Sequence, residues 1–235
     1  MQPNLSRRAF VSTAAGAAAL AGSQGSVAQL VYTTKDWSRL EFDKVAGDPA
    51  RVKQVFDIVR AGDGKFLNSI KNSLNGLHFG FGIPVSQIKV AAALHGPANM
   101  LNFDDFIWSK YKIGAWLTID DPATGQPATR NPFYARRAHA DSQDLSQDPD
   151  DPASIYQDTS METLQRRGVT FLSCHTALEE QARALIEHYR LSESPESMVR
   201  SILEHALPGV LVVASMSAAI ALLQTRGHYS YITVD

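Results

Sequence analysis

The chain has 235 residues, a formal net charge of −2 and a single cysteine, Cys174. This mildly acidic balance does not favour non-specific nucleic-acid binding, and one cysteine excludes a disulfide framework within the chain. A chain of this length suits one domain with a full hydrophobic core.

Residues 1–28 have the pattern of a secretory leader. Arg7 and Arg8 form a twin-arginine pair, an uncharged alanine-rich stretch follows, and small residues at 26–28 offer a cleavage site before Gln29. Because these features occur in order, we predict a Tat-type signal peptide and a periplasmic protein; a disordered or weakly helical tail is the alternative. The apolar stretch is too short for a membrane span, so we expect no stable membrane insertion after the leader is removed.

Strand and helix patterns alternate along the remaining chain, after an N-terminal extension over 29–50. The first half predicts a strand over 51–59, an amphipathic helix over 65–77, an apolar strand over 87–96 and a short helix over 98–111. The second half predicts a helix over 161–168, a strand over 169–174, helices over 178–189 and 195–203, a strand over 209–215, a helix over 216–227 and a strand over 228–234.

The middle of the chain, from 113 to 159, lacks any periodicity. Its last part, residues 141–158, holds six aspartates and no basic residue. It lacks the glycine and the terminal glutamate of an EF-hand loop, so we expect a solvated surface excursion rather than a calcium site. We predict a long irregular insertion, which could cover a cleft because both of its ends adjoin the strands that form the site.

Strands alternating with helices imply a parallel sheet with both faces covered, joined by right-handed crossovers. The predicted fold class is therefore α/β. Residues 51–235 form one domain, an open five-stranded, mostly parallel sheet with helices on both faces, in a flavodoxin-like three-layer arrangement.

The predicted site lies at the carboxyl ends of the strands, where open parallel sheets bind ligands. Cys174 and His95 are the candidate reactive pair, since each follows a strand and precedes a helix. The candidate ligand-binding or anion-binding residues at the same edge are Asp57, Gly96, His175, Thr176 and Ser215. No set of residues has metal-ligand spacing, and no dinucleotide, phosphate-loop or nucleophile-elbow motif is present, so we expect neither a metal nor a cofactor.

The position of Cys174 changes the chemistry expected of its thiol. The N-terminus of a helix carries partial positive charge and free N–H groups, which favour a thiolate over a thiol. Because polar His175 and Thr176 follow, we expect Cys174 to be reactive and not fully buried. The alternative is a buried cysteine that packs as a small apolar residue. For His95, a structural role and a functional role are equally open.

Three segments of the chain resemble the DsrE/DsrF-like sulfur-relay family. They are VAAALHGPA at 90–98, LQRRGVTFLSCHTAL at 164–178 and LPGVLVVASMSAAIALLQTRGHYSYI at 207–232. The resemblance implies a small five-stranded parallel domain that works as an oligomer. It also implies that Cys174 carries sulfur as a persulfide and passes it to a partner. The export leader and the insertion depart from the family pattern.

Three functions remain open at this point. The first is a periplasmic sulfur carrier or sulfurtransferase-like protein, whose partner is a sulfur donor or acceptor protein or a small sulfur compound. The second is a non-catalytic module that binds a small ligand or anion. The third is a thiol hydrolase with His95 as base. No acid is placed in the sequence to orient His95, and Asp57 is only a candidate for that role. A homo-oligomer is expected, with the strand at 228–234 as a candidate contact edge.

Overall fold

The computed structural model describes residues 36–135 and 158–234. The predicted leader, the start of the N-terminal extension and almost all of the acidic run at 141–158 lie outside these residues. No helix in the described ranges has both the length and the apolar character needed to cross a bilayer.

The sheet has five strands, all parallel, in the order β4-β3-β2-β1-β5. This confirms the predicted α/β fold. The strands are Val52–Ile58 (β1), Ile88–Leu94 (β2), Val169–Cys174 (β3), Leu211–Val213 (β4) and Ser230–Thr233 (β5). The apolar β2 lies at the centre because a strand covered on both faces has no polar side. The C-terminal strand β5 lies at an edge, as its place in the sequence suggested.

Eight α-helices occur among the described residues. They are Arg39–Ala46 (α1), Lys65–Asn75 (α2), Asp105–Lys110 (α3), Ile113–Leu117 (α4), Met161–Arg166 (α5), His175–Tyr189 (α6), Pro195–Leu203 (α7) and Met216–Thr225 (α8). A π-helical turn over Gly76–Gly80 and 3-10 turns over Val85–Gln87 and Gly96–Asn102 complete the connections.

Alternate residues of each strand face two separate apolar layers. In β2, Val90, Ala92 and Leu94 pack with helices α2 to α7, whereas Ala91 and Ala93 pack with α1 and α8. This alternation follows from the period of two in a strand. The result is the three-layer arrangement, and it fixes which strand residues share the thinner layer formed by α1 and α8.

Two helical regions differ from the sequence-based expectation. Helix α1 was not predicted, because its window falls in a polar stretch with few apolar residues. The predicted helix over 98–111 is divided, because the Asp104 side chain accepts hydrogen bonds from the N–H groups of Phe106 and Ile107 and starts α3 anew.

The start of the predicted insertion is packed rather than irregular. Ile113 and Ile119 are buried, and residues 113–117 form α4. Gly114 lies so close to the chain at Ala128 that a Cβ there would be 2.2 Å from the carbonyl oxygen. Such contacts produce no helical or strand periodicity in the sequence, which is why these residues were predicted to form an irregular insertion.

Candidate functional site

Three candidate residues lie on one face at the carboxyl edge of the sheet. The paired register matches Asp57 with Ala93 and Leu94 with Ser173, so His95 and Cys174 come side by side in the next row. His95 continues β2 in an extended conformation. By strand alternation all three side chains face the layer of α1 and α8, which also contains Ala93.

Asp57 joins His95 directly. His95 Nε2 lies 2.6 Å from Asp57 Oδ1, and the hydroxyl of Tyr231 donates to Asp57 Oδ2. Since a carboxylate can only accept, the proton of a neutral His95 lies on Nε2 and leaves Nδ1 as the basic nitrogen. The sequence offered Asp57 only as a candidate acid, and the contact makes it the partner of His95.

Tyr231 is a site residue that the sequence did not identify. It lies on β5, paired with Val55 of β1, and its side chain is 44% exposed. The hydrogen bond to Asp57 raises the pKa of Tyr231 above its ordinary value. Little in the sequence indicated this role, because the contact between Tyr231 and Asp57 depends on the last strand lying beside the first.

The sulfur of Cys174 accepts two backbone hydrogen bonds. The N–H of Ala177, at the start of α6, donates at 3.4 Å, and that of Met216, at the start of α8, donates at 3.3 Å. Both N–H groups belong to first turns, where donors have no partner within the helix. Two helix N-termini therefore converge on one sulfur atom, where the sequence predicted only one.

The expectation that Cys174 is not fully buried was wrong. The residue is 4% exposed and packs in the apolar layer that includes Phe42 of α1 and Met216 of α8. The two polar residues that follow Cys174 do not require exposure to solvent, because the side chains of both have partners within the fold. Thr176 Oγ1 donates to the carbonyl of Ala214, and His175 is itself buried.

His175 turns towards the N-terminal segment and a carboxylate on its own helix. Its Nε2 lies 3.1 Å from Asp36 and its Nδ1 lies 3.3 Å from Glu179, although the second contact lacks hydrogen-bond geometry. The ring also meets Trp37 edge-on. These contacts link the segment at Asp36 and Trp37 to α6, so His175 has a structural role beside Cys174.

Asn99 fixes the backbone at Cys174. Its Oδ1 accepts from the Cys174 N–H and the Ser173 hydroxyl, both at 2.9 Å, and its Nδ2 donates to the Cys174 carbonyl at 3.0 Å. Asn99 is fully buried, and Asn102 extends the network to the Leu172 carbonyl. The sequence did not single out these asparagines, although two amides inside an apolar stretch were a signal of buried hydrogen bonds.

Gly96 and Ser215 do not contact the side chains of Asp57, His95 or Cys174 through any hydrogen bond among the described residues. Gly96 has φ +53°, and a Cβ there would lie 3.1 Å from Val59, so glycine is needed for the turn after His95. Ser215 precedes α8 and lines an apolar groove of about 180 Å³ together with Trp37 and Phe42. Neither Cys174 nor His95 lines that groove, so it is separate from the row of candidate residues.

No group of three or more His, Cys, Asp or Glu in the described ranges is arranged to hold a metal ion. Comparisons with protein-family models, curated proteins and solved structures returned no match. The likeness to sulfur-relay proteins therefore rests on the sequence segments alone.

Proposed function

We propose that this protein is a sulfur carrier that holds sulfane sulfur as a persulfide on Cys174. The observation that carries the proposal is the pair of N–H groups, from Ala177 and Met216, directed at the sulfur. Donors of this kind favour a negative charge on sulfur, as helix N-termini favour anions in general. The thiolate is the form that attacks a sulfane sulfur.

The reaction needs only small partners. The Cys174 thiolate attacks the outer sulfur of thiosulfate, the new S–S bond forms, and sulfite leaves with the electron pair of the broken bond. An acceptor thiolate then attacks the outer sulfur of the Cys174 persulfide, takes that sulfur and releases the Cys174 thiolate. Charge is conserved in both steps. The proton of the thiol reaches His95, which Asp57 holds, through solvent, since the hydrogen bonds to the sulfur come from backbone N–H groups.

Burial limits which donors can reach the thiol. Because Cys174 packs with Phe42 of α1, the sulfur becomes accessible when α1 moves aside, which leaves the Met216 N–H in place. This favours a small sulfur compound over a bulky thiol, unless a partner protein displaces α1. The twin-arginine segment further supports export to the periplasm, and the edge position of β5 is compatible with the expected homo-oligomer.

A second candidate function is a module that binds a small ligand or anion without transferring it. The burial of the sulfur favours this alternative, since a buried cysteine can serve as a small apolar packing residue without taking part in a reaction. The thiol hydrolase is less well supported. Asp57 now supplies the missing acid, but the hydrogen bonds to the sulfur come from backbone N–H groups and not from His95.

The test is the intact mass of the folded protein after incubation with thiosulfate or polysulfide. We expect the mass to rise by one sulfur atom, the gain to be lost in Cys174→Ser, and its rate to fall in His95→Ala. His188→Ala, a histidine on α6 outside the site, is the matched control. If the folded protein gains no sulfur while the urea-unfolded protein does, the carrier function is wrong and the binding module replaces it.

A further inference from the structure

Two partly buried cations, Lys71 and Arg167, lie on neighbouring elements on the opposite side of the sheet from Cys174. Lys71 lies on α2, and Arg167 directly follows α5. The Arg167 Nη2 group donates to Asn75 Oδ1 at 2.8 Å. Asn75 is one helical turn after Lys71, so Arg167 lies against the face of α2 that carries Lys71.

Neither cation is neutralised by the described part of the chain. None of the ion pairs among the described residues includes Lys71 or Arg167. The Arg167 Nη1 atom is buried and has no hydrogen-bond partner there. A buried donor without a partner loses its hydration without compensation, and a charged one loses the most.

Burial acts on both groups in the same direction. It lowers the pKa of Arg167 to about 10, and it also lowers the pKa of Lys71, which the positive charge of Arg167 lowers further. Arg167 is the C-cap residue of α5, so the carbonyls at the end of that helix offset part of its charge, as helix C-termini do for cations. They leave Nη1 without an acceptor, so the compensation within the described chain is incomplete.

We propose that Lys71 and Arg167 form a binding site for a doubly charged tetrahedral oxyanion such as phosphate or sulfate. Arg167 is only partly buried, so a rotation of its side chain brings the unsatisfied arm of its planar fork to the surface beside Lys71. A planar fork and a point charge together suit such an oxyanion. Asn75 is a positioning residue, because its amide oxygen holds the other arm of the fork.

This site is independent of the proposed sulfur chemistry. Arg167 comes just before the start of β3, whereas Cys174 ends it, and the five strand steps between Val169 and Cys174 span about 16 Å. The two residues also face different layers, since Asn75 belongs to α2 and Cys174 faces α1 and α8. Oxyanion binding can therefore be present whether or not Cys174 carries sulfur.

The experiment is calorimetric titration of the full chain with sodium phosphate, sodium sulfate and sodium acetate, at constant ionic strength set by chloride. We expect saturable binding of phosphate and sulfate, with acetate at least about tenfold weaker because it carries one charge. Arg167→Met and Lys71→Met should each lose the binding, while Arg200→Met, an exposed arginine on α7, should retain it. Arg167→Lys should retain a weakened affinity.

Two results would overturn the site. The first is a phosphate response no larger than that of chloride at matched ionic strength. The second is binding of unchanged affinity in Arg167→Met and Lys71→Met. If Arg167→Met does not fold, Lys71→Met decides, because its more accessible ammonium can be removed with less damage to the core. Cys174→Ser should bind phosphate normally, which separates this site from the proposed function.

Discussion

The backbone N–H of Met216 donates a hydrogen bond to the sulfur of Cys174, although 42 residues separate them in the chain. The contact exists because β3 and β4 are neighbours and each is followed at once by a helix. Met216 begins α8 and Ala177 lies in the first turn of α6, so both offer N–H groups that no carbonyl of their own helix can accept. A side chain at the end of β3 therefore receives both.

Phe42→Ala is expected to expose the thiol in the native state. Phe42 is buried in the layer that covers Cys174, and its truncation should destabilise the protein by about 3–5 kcal/mol and loosen α1. The measurement is the rate at which iodoacetamide alkylates Cys174 under native conditions. We expect an increase of about tenfold or more, since local opening exposes the sulfur.

Phe66→Ala is the matched control, because Phe66 is equally buried but belongs to the other layer. Both variants lose a phenyl ring, so both speed alkylation that proceeds through global unfolding. Only Phe42→Ala should speed alkylation beyond what its loss of stability explains. Equal rates at equal stability in the two variants would show that α1 does not control access to Cys174.

Asn99→Ala is expected to destabilise the fold by about 2–4 kcal/mol, because it leaves buried groups at Ser173 and Cys174 without partners. Urea unfolding followed by circular dichroism gives the free energy. Asn68→Ala, at an exposed position on α2, should change it by less than about 0.5 kcal/mol. If Asn99→Ala lowers the free energy of unfolding no more than Asn68→Ala does, the Asn99 side chain does not hold the end of β3.

The sheet could be predicted from the sequence because its strands carry a strong local signal. The run around Ala91–Ala93 is apolar on both faces, and turn residues bound each strand. Helix α1 could not be predicted, since it is stabilised by packing of Phe42 and Ala46 rather than by a long apolar stripe. The packed start of the insertion was missed for the same reason, because its buried residues follow no helical or strand period.

The site was predictable in part. The rule that parallel strands place their carboxyl ends together brought Asp57, His95 and Cys174 to one edge. The sequence could not give the burial of Cys174, because that depends on partners of Thr176 and His175 in distant segments. Tyr231 was missed because a contact between the first and last strands has no local trace in the chain.

Gly114→Ala is expected to destabilise the protein by about 1–3 kcal/mol, because the added Cβ would collide with the backbone at Ala128. Gly76→Ala is the control, since Gly76 has helical φ and ψ and nothing lies within 4 Å of its Cβ position. That variant should be neutral or stabilised by up to about 1 kcal/mol. Thermal unfolding of both variants decides whether residues 113–135 belong to the packed core; equal stability of the two would contradict it.

Tyr231→Phe removes the hydroxyl that donates to Asp57, and its effect should depend on pH. The hydrogen bond raises the pKa of Tyr231 in the folded protein. Its stabilisation is therefore fully present below the ordinary tyrosine pKa of about 10 and is lost as pH rises through the raised value. Because Tyr231 is 44% exposed, we expect a loss of less than about 1 kcal/mol at neutral pH.

Tyrosinate absorbance is titrated with pH in the wild type and in Tyr231→Phe. The difference between the two curves reports the ionisation of the Tyr231 hydroxyl alone. It should titrate above about 10 in the wild type and closer to that value in Asp57→Asn, where a neutral acceptor replaces the carboxylate. The stability difference between wild type and Tyr231→Phe should shrink over the same pH range. A hydroxyl that titrates identically with Asp57 and with Asn at this position would mean that the contact does not form in solution, and Asp57 would then hold His95 without help from β5.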